Sequence, residues 1–256
     1  MKPRFSIVTV TYNAAAVLPR TLDSVLMQDY QYVEHLILDG ASTDATLQLA
    51  EQYKEKSDET ASSHEVVVRS EPDHGIYDAM NKGLQQATGD FIVFLNAGDT
   101  LPSSTTLSLL AERATERTAV LYGDTAITDN DGNVLRLRRH RPPRRLTWRS
   151  FKKGMLVCHQ AFYARTDLAR QLPYDQRYRY SADVDWCIRV MKEAGRQGLE
   201  LTNVEAVIAN YTEEGQTTLH HRESLRERYE VMCTHYGRVQ TFLLHCWFVV
   251  RAVIKR

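Results

Sequence analysis

The unbroken apolar run at residues 91–95 stops at a polar turn, Asn96-Ala97-Gly98-Asp99. A short apolar run closed by turn residues reads as a strand buried on both faces. In open parallel sheets, ligands bind just beyond the carboxyl ends of the strands. Asp99 is therefore a carboxylate held at the mouth of a sheet, and divalent metal binding is the chemistry that suits it. Its plainer use would be to cap the helix after Pro102. Asp39 closes a second strand-like run, at 35–38; a carboxylate there could accept hydrogen bonds from a base N–H or cap the next helix. Asp183 and Asp185 open a helical stretch, and two positions apart they point about 200° from each other, so they cannot share one face.

The elements that must position these groups alternate. Residues 5–10 form a first strand ending at Thr11-Tyr12-Asn13, and a helix follows to about Gln28 with Pro19 in its first turn. Strand 35–38 is followed by Ser42, Thr43 and Asp44, which suit a helix start, with Leu47, Ala50 and Tyr53 on one face. Residues 54–65 are polar and read as a loop. A third strand at 66–68, a turn at 70–75 and a helix at 76–87 lead to the strand at 91–95. Strand and helix alternating at this spacing predict an α/β fold, a mostly parallel central sheet flanked by helices. A helix from about Ser104 and a strand at 119–122 continue the pattern. Asn130-Asp131-Gly132-Asn133 then carries a hairpin signal. A strand at 159–164, a helix at 181–194 closed by Gly195, a strand at 206–211 and a polar helix at 219–236 precede an apolar tail with a basic end.

The 256 residues are 43% hydrophobic, enough for a sizeable core, and 32 Lys plus Arg balance 32 Asp plus Glu. Zero net charge argues against a general nucleic-acid coat. Cys158, Cys187, Cys233 and Cys246 have no metal or redox spacing and read as free thiols in a reducing compartment. The amino terminus suits a strand better than a signal peptide. No stretch offers the roughly 20 apolar residues of a membrane span. A cytoplasmic protein, free or peripheral on the membrane, is expected.

Four ordered motifs resemble family 2 glycosyltransferases, which have the GT-A fold: S-I-V-T-V-T-Y-N at 6–13, H-L-I-L-D-G-A-S-T-D at 35–44, S-E-P-D-H-G-I-Y-D-A-M-N-K-G at 70–83 and G-D-F-I-V-F-L-N-A-G-D at 89–99. C-H-Q-A-F-Y at 158–163 and S-A-D-V-D-W at 181–186 extend the likeness, and the 70–99 stretch looks most like members that build exopolysaccharide or O-antigen units. The resemblance implies an inverting transferase with a nucleotide-diphosphate sugar as donor, UDP foremost and GDP or dTDP as alternatives, and with Mg2+ or Mn2+ as cofactor. It places Thr11 and Tyr12 in the wall of the nucleotide pocket, with Tyr12 able to stack on the base, and Asp39 on the base. Asp44 would contact the nucleotide or favour its helix start. Asp73 would contact sugar or ribose or make an Asx-turn. Lys82 would offset diphosphate charge or lie solvated at the surface. Asn96 and Asp99 occupy the metal motif, often written D-x-D, whose third position here is Gly98; Asp99 is its one carboxylate. Asp183 aligns with the base that takes the acceptor hydroxyl's proton, with Ala182 where Glu is usual. His159 and Gln160 would lie at the acceptor side or the metal, and Asp185 is the secondary acceptor-side carboxylate. Many members have Arg where this chain has Met80, and His220 and His221 could close over the diphosphate.

A transferase domain over 1–215 is expected, with a nucleotide-sugar half at 1–100 and an acceptor half at 101–215. A helical extension at 216–256 would meet a membrane surface or another copy. Seven arginines at 136–149 suit phosphate recognition and, with the apolar tail, an anionic membrane surface. The acceptor would be a saccharide, free or polyprenyl-diphosphate-linked. Two rivals stand beside this reading. A non-catalytic nucleotide- or glycan-binding protein would explain Asn96, Gly98 and Ala182. A sugar nucleotidylyltransferase would need a Gly-rich basic phosphate loop, which T-Y-N-A-A-A at 11–16 is not.

Overall fold

The computed structural model describes residues 2–60, 64–212 and 221–254, with side chains through residue 247 apart from that of His221. Strand β1, Phe5–Thr11, is buried at all seven positions. Its apolar residues account for the burial, and its polar Ser6 and Thr9 are tolerated because they have partners. Ser6 donates to Glu34 and accepts from Gly89 N–H, and Thr9 donates to the Leu95 carbonyl and meets His35 at 2.9 Å. β2 (Val33–Asp39) and β4 (Phe91–Phe94) flank β1 in parallel, and β3 (Glu65–Ser70) extends the sheet beyond β2. Helices α1 (Leu18–Leu26), α2 (Thr46–Glu59) and α3 (Ile76–Gln86) connect them, as parallel pairing requires.

The second half turns antiparallel. After α4 (Thr106–Arg113), strand β5 (Thr118–Thr128) pairs with β7 (Phe162–Arg165), which in turn pairs with β4. The hairpin at 130–133 folds β6 (Val134–Leu137) back on β5, and β8 (Glu200–Thr212) runs parallel along the other side of β5. The sheet order is β3-β2-β1-β4-β7-β5-β6, with β8 paired to β5. Two reversals through β7 leave β5 and β8 parallel to β4. The carboxyl ends of β1, β2, β4 and β8 and the amino end of β7 therefore share one edge. The main hydrophobic core runs from Phe5 to Tyr236 across both halves, and a smaller cluster of Leu18, Leu22, Ile37, Ala50, Tyr53 and Val66 lies between α1, α2 and the sheet.

Four sequence expectations shift. Residues 54–59 continue α2 as its polar end, with Ser57 buried, instead of forming a loop. His159–Ala161 is a 3-10 turn before β7, because Ala161 N–H bonds back to Cys158. Helix α6 (Ala182–Arg196) closes at Gly198, which takes φ +68°, and not at Gly195. β8 starts six residues earlier than the stretch 206–211. Helix α5 (Thr166–Arg170) follows β7, and α7 (His221–Tyr236) and α8 (Arg238–Ile254) end the described chain. All four cysteines are unbonded. Among the described residues no helix is long and apolar enough to cross a membrane.

His35 is fully buried between the Thr9 and Tyr53 hydroxyls, and burial, with a lesser push from His64, lowers it to about 3. The unfolded chain takes up this proton near pH 6.5 and the folded chain does not, so stability falls as pH drops from about 6.5 towards 3. One such group contributes a slope of about 1.4 kcal/mol per pH unit. The stability difference between wild type and His35→Gln, followed by urea melts, should shrink at about that slope below pH 6.5. Parallel curves would refute the neutral buried histidine.

Candidate active site

Two strained connections open the sheet's carboxyl edge. Asn13, after β1, has φ +47°, and Ala41, after β2, has φ +60°. Non-glycine residues hold positive φ only where neighbours impose it. Here the two loops are zipped together: Asn13 N–H donates to Ser42 Oγ, Thr43 N–H to Asn13 Oδ1, and Ala14 N–H to Thr46 Oγ1. Asp44 belongs to this zip, accepting from Ala15 and Thr46 N–H, and the Thr46 hydrogen bonds hold its carboxyl below the usual range. Asp39 is also held, by Ser42 N–H and by the hydroxyls of Ser42 and Ser70.

These contacts shape a recess. A Cβ on Gly40 would lie 2.5 Å from Asp73 Oδ2 and 3.4 Å from the Tyr12 ring, so Gly40 is the floor between them. Tyr12 is 64% exposed, which is how an aromatic platform for a planar ring must stand. Thr11 is buried with its hydroxyl unpartnered. Asp73 makes the Asx-turn to Gly75 N–H. Lys82 donates to the Pro72 carbonyl at 2.9 Å and pairs with Glu71 at 3.0 Å, which raises it. It thus braces the turn that carries Asp73. Arg69, which the sequence reading did not single out, lines the same recess with Asp39, Glu71, Asp73 and Lys82.

The second cluster lies beyond β4 and joins both halves of the chain. Asp99 is buried; Gln160 Nε2 donates to one carboxylate oxygen at 2.7 Å and Thr212 N–H to the other at 3.2 Å. Burial pushes its carboxyl up to about 6 against these donors. Thr21 on α1 holds the turn from below, donating to the Asp99 carbonyl and accepting from Gly98 N–H, both at 2.8 Å. Asn96 Nδ2 contacts His159 Nε2 at 3.3 Å, and its buried Oδ1 has no partner. On the far side of the same imidazole, Nδ1 lies 3.3 Å from Asp183 Oδ2, and the Tyr77 hydroxyl donates to Asp183 Oδ1 at 3.4 Å. Asn96, Asp99, His159, Gln160 and Asp183 thus form one group.

Burial works to raise Asp183. The hydrogen bond and charge of His159, with the charge of Arg228, outweigh it and leave the carboxyl below its usual value. Asp183 points at His159 because α6 is anchored: Trp186 is fully buried, stacks on Tyr174 at 4.9 Å and meets the edges of Phe94 and Phe162. Asp185, on the other face, accepts from Arg189 at 2.6 Å and meets His235 at 2.8 Å, so it ties α6 to α7 away from His159. His220 and the side chain of His221 lie outside the described residues. A cavity of about 450 Å3 opens at the opposite end of the sheet, around Asp90, Glu116 and Arg165, and contains none of these groups.

The geometry finds parallels among known proteins. The model described as Glycosyl transferase family 2 matches residues 6–172. A PGL/p-HBAD biosynthesis glycosyltransferase of Mycobacterium bovis is 33% identical over 99% of this chain and 95% of its own length. The fold matches Staphylococcus aureus TarS in complex with UDP-GlcNAc, with a TM-score of 0.66, 20% identity and coverage of 90% of this chain and 64% of TarS. It also matches Mycobacterium tuberculosis glucosyl-3-phosphoglycerate synthase in complex with Mn2+, UDP and glucosyl-3-phosphoglycerate, with a TM-score of 0.58, 18% identity and coverage of 92% and 80%.

Thr21 offers a test of how the Gly98–Asp99 turn is held. Thr21→Val keeps the shape and orphans a buried N–H and a buried carbonyl, a loss of about 1–3 kcal/mol. Urea unfolding should show that loss; a neutral variant would mean the turn is set by other contacts.

Proposed function

The chain belongs to glycosyltransferase family 2 and has the GT-A fold, and from that premise we propose that it is an inverting transferase that moves a sugar from a nucleoside-diphosphate donor to an acceptor hydroxyl. The acceptor is a saccharide or a lipid-linked saccharide of a cell-surface glycan, met at the cytoplasmic face of the membrane. The observation that carries the proposal is that Asp183 and the Asn96–Asp99 turn meet through His159 and Gln160 at the sheet edge where the nucleotide recess opens. A pure binding protein has no use for a partly buried carboxylate held by a histidine next to a second, buried one.

In this reading the base stacks on Tyr12, with Asp39 and Thr11 beside it and Asp73 towards the ribose or sugar. Asp44 keeps the two loops zipped, and Lys82 holds the Asp73 turn in place. Asp183 takes the acceptor proton while that oxygen attacks the anomeric carbon from the face opposite the diphosphate. The bond to the diphosphate oxygen breaks and the pair of electrons leaves with it. His159 orients Asp183, and Tyr77 holds its second oxygen. Asp185 is occupied by Arg189 and His235 and serves the fold of the acceptor side.

A divalent cation fits the donors present. Asn96 offers a buried unpartnered oxygen, and Asp99 offers a carboxylate three residues on. Among the described residues no three His, Cys, Asp or Glu side chains are placed to hold a metal ion together, so Mg2+ or Mn2+ would be held largely by substrate oxygens and water. When bound, such an ion offsets the charge of the departing diphosphate.

Melting curves with UDP, GDP or dTDP, with manganese or with EDTA, test the donor site. A ligand at a hundred times its Kd adds roughly 2.7 kcal/mol. One nucleotide should give a manganese-dependent shift, and Asp99→Ala should abolish it. A cation must displace the proton from a carboxyl raised to about 6, so the shift should fade below that pH. Asp183→Asn should keep the shift and lose about 10²–10⁴ in kcat. Wild-type turnover in that variant would sink the base assignment, and no shift with any nucleotide would favour the binding protein.

A further inference from the structure

Two stretches of the chain lack acidic residues, 132–166 and 231–256. The fold packs them together. The Trp148 and Tyr236 rings stack at 5.5 Å with 2° between their planes, and the Tyr236 hydroxyl donates to the Trp148 carbonyl at 2.6 Å. Arg149 and Lys192 each lie 4.6 Å from the Trp148 ring, and Lys152 lies over Tyr236. Helix α8 itself packs on the 3-10 turn Trp148–Lys153.

Helix α8 buries Thr241 and rests Leu244 on the core, while apolar side chains on its other face, up to Trp247, stand exposed among the described residues. Val239, Phe242, Leu243 and Trp247 are 75%, 59%, 62% and 57% exposed. Their spacing of i, i+3, i+4 and i+8 puts them on one stripe. In the turn that α8 packs on, Arg149 and Lys153 are exposed, as are Arg139 and Arg145 earlier in the same arginine-rich segment. Arg141 and Arg144 are engaged by Asp124 and Glu205, and Arg138 by backbone carbonyls.

We propose that this stripe and the arginine-rich segment form one docking surface for an anionic lipid bilayer. Apolar side chains enter the acyl boundary while cations meet headgroup phosphates, the two signals that stable peripheral attachment needs. A second copy is the poorer occupant. A two-fold contact is self-complementary, so it would set the same uncompensated cations against each other. The surface rests on the transfer reading only for its purpose, which is to bring a lipid-linked acceptor to Asp183. Two connections lead there. The cationic segment runs directly into His159 and Gln160. From α7, Glu227 accepts the N–H groups of Arg179, Tyr180 and Ser181, the turn that opens the helix of Asp183.

The test is flotation of the full chain with vesicles of phosphatidylcholine and phosphatidylglycerol at equal parts, against phosphatidylcholine alone. Wild type should float with the anionic vesicles, bind neutral ones at least tenfold less and come off in high salt. R139Q/R145Q/R149Q/K153Q and F242S/L243S/W247S should each lose at least tenfold in binding, with unchanged thermal melts because these side chains are exposed. Wild type left at the bottom of the gradient, or floating equally with both vesicles, would overturn the proposal. So would a vesicle-free dimer that the F242S/L243S/W247S variant converts to monomer. The nucleotide melting shift is a separate readout. Its absence from wild type would count against the transfer reading alone, and both variants should keep it if that reading holds.

Discussion

A buried carboxylate is costly unless donors surround it, and the burial of Asp99 constrains the rest of the structure. Its donors are Gln160, from the turn before β7, and Thr212, from the end of β8. Neither is near it in sequence. They can reach it only if β7 reverses against β4 and β8 runs beside β5, so the antiparallel insertion is the device that closes the pocket over β4. The turn on the other side is held by Thr21 from α1, and Thr100 and Asn210 exchange both backbone hydrogen bonds at its far end. The raised carboxyl shows that these donors do not fully offset burial.

The carboxyl-terminal helices are part of this arrangement. Asp183 stands at the start of α6, where the backbone N–H groups of 179–181 need acceptors, and Glu227 on α7 supplies them. The Asp185–His235 contact joins the same two helices one turn further on. The face of α6 that points at His159 and the face that meets α7 are the two faces that Asp183 and Asp185 occupy. The 200° between them thus separates the carboxylate proposed as base from the one that anchors the helix.

The first half of the fold was legible because its information is local. Apolar runs of four to five residues, ended by Asn-Ala-Gly-Asp or Asp-Gly, can hardly be other than buried strands with loops at one edge. The hairpin at 130–133 was equally local. The end of α2 was missed because K-E-K-S-D-E is polar, although a helix on a sheet needs apolar residues on one face only. His159 and Gln160 were read as strand because their neighbours at 162–164 are apolar; the 3-10 turn that aims them inward leaves no compositional trace. Lys82 looked free to meet phosphate because Glu71 and Pro72 lie eleven and ten residues earlier, across a turn whose path no periodicity reveals. Arg69 was passed over because it falls between the strand read at 66–68 and the turn at 70–75. Thr212 offers only a backbone N–H, which every residue has, so nothing in its type marks it. The resemblance located Asp39, Asp99 and Asp183, and the geometry adds what each one touches.

Thr212 lies 113 residues beyond the carboxylate it caps. On a ribosome, at about 5–20 residues per second, that gap lasts on the order of 6–20 s. Throughout that interval Asp99 is made but cannot be fully enclosed, since Gln160 arrives only 61 residues after it and Thr212 does not yet exist. The emerging chain can assemble β1, β2, β3 and β4 from contacts already present, while the pocket stays open and hydrated. Closure must await β8, so the complete pocket is a late product of synthesis, and a chain truncated before β8 would carry the recess around Asp39 and Asp73 without a closed site beside it.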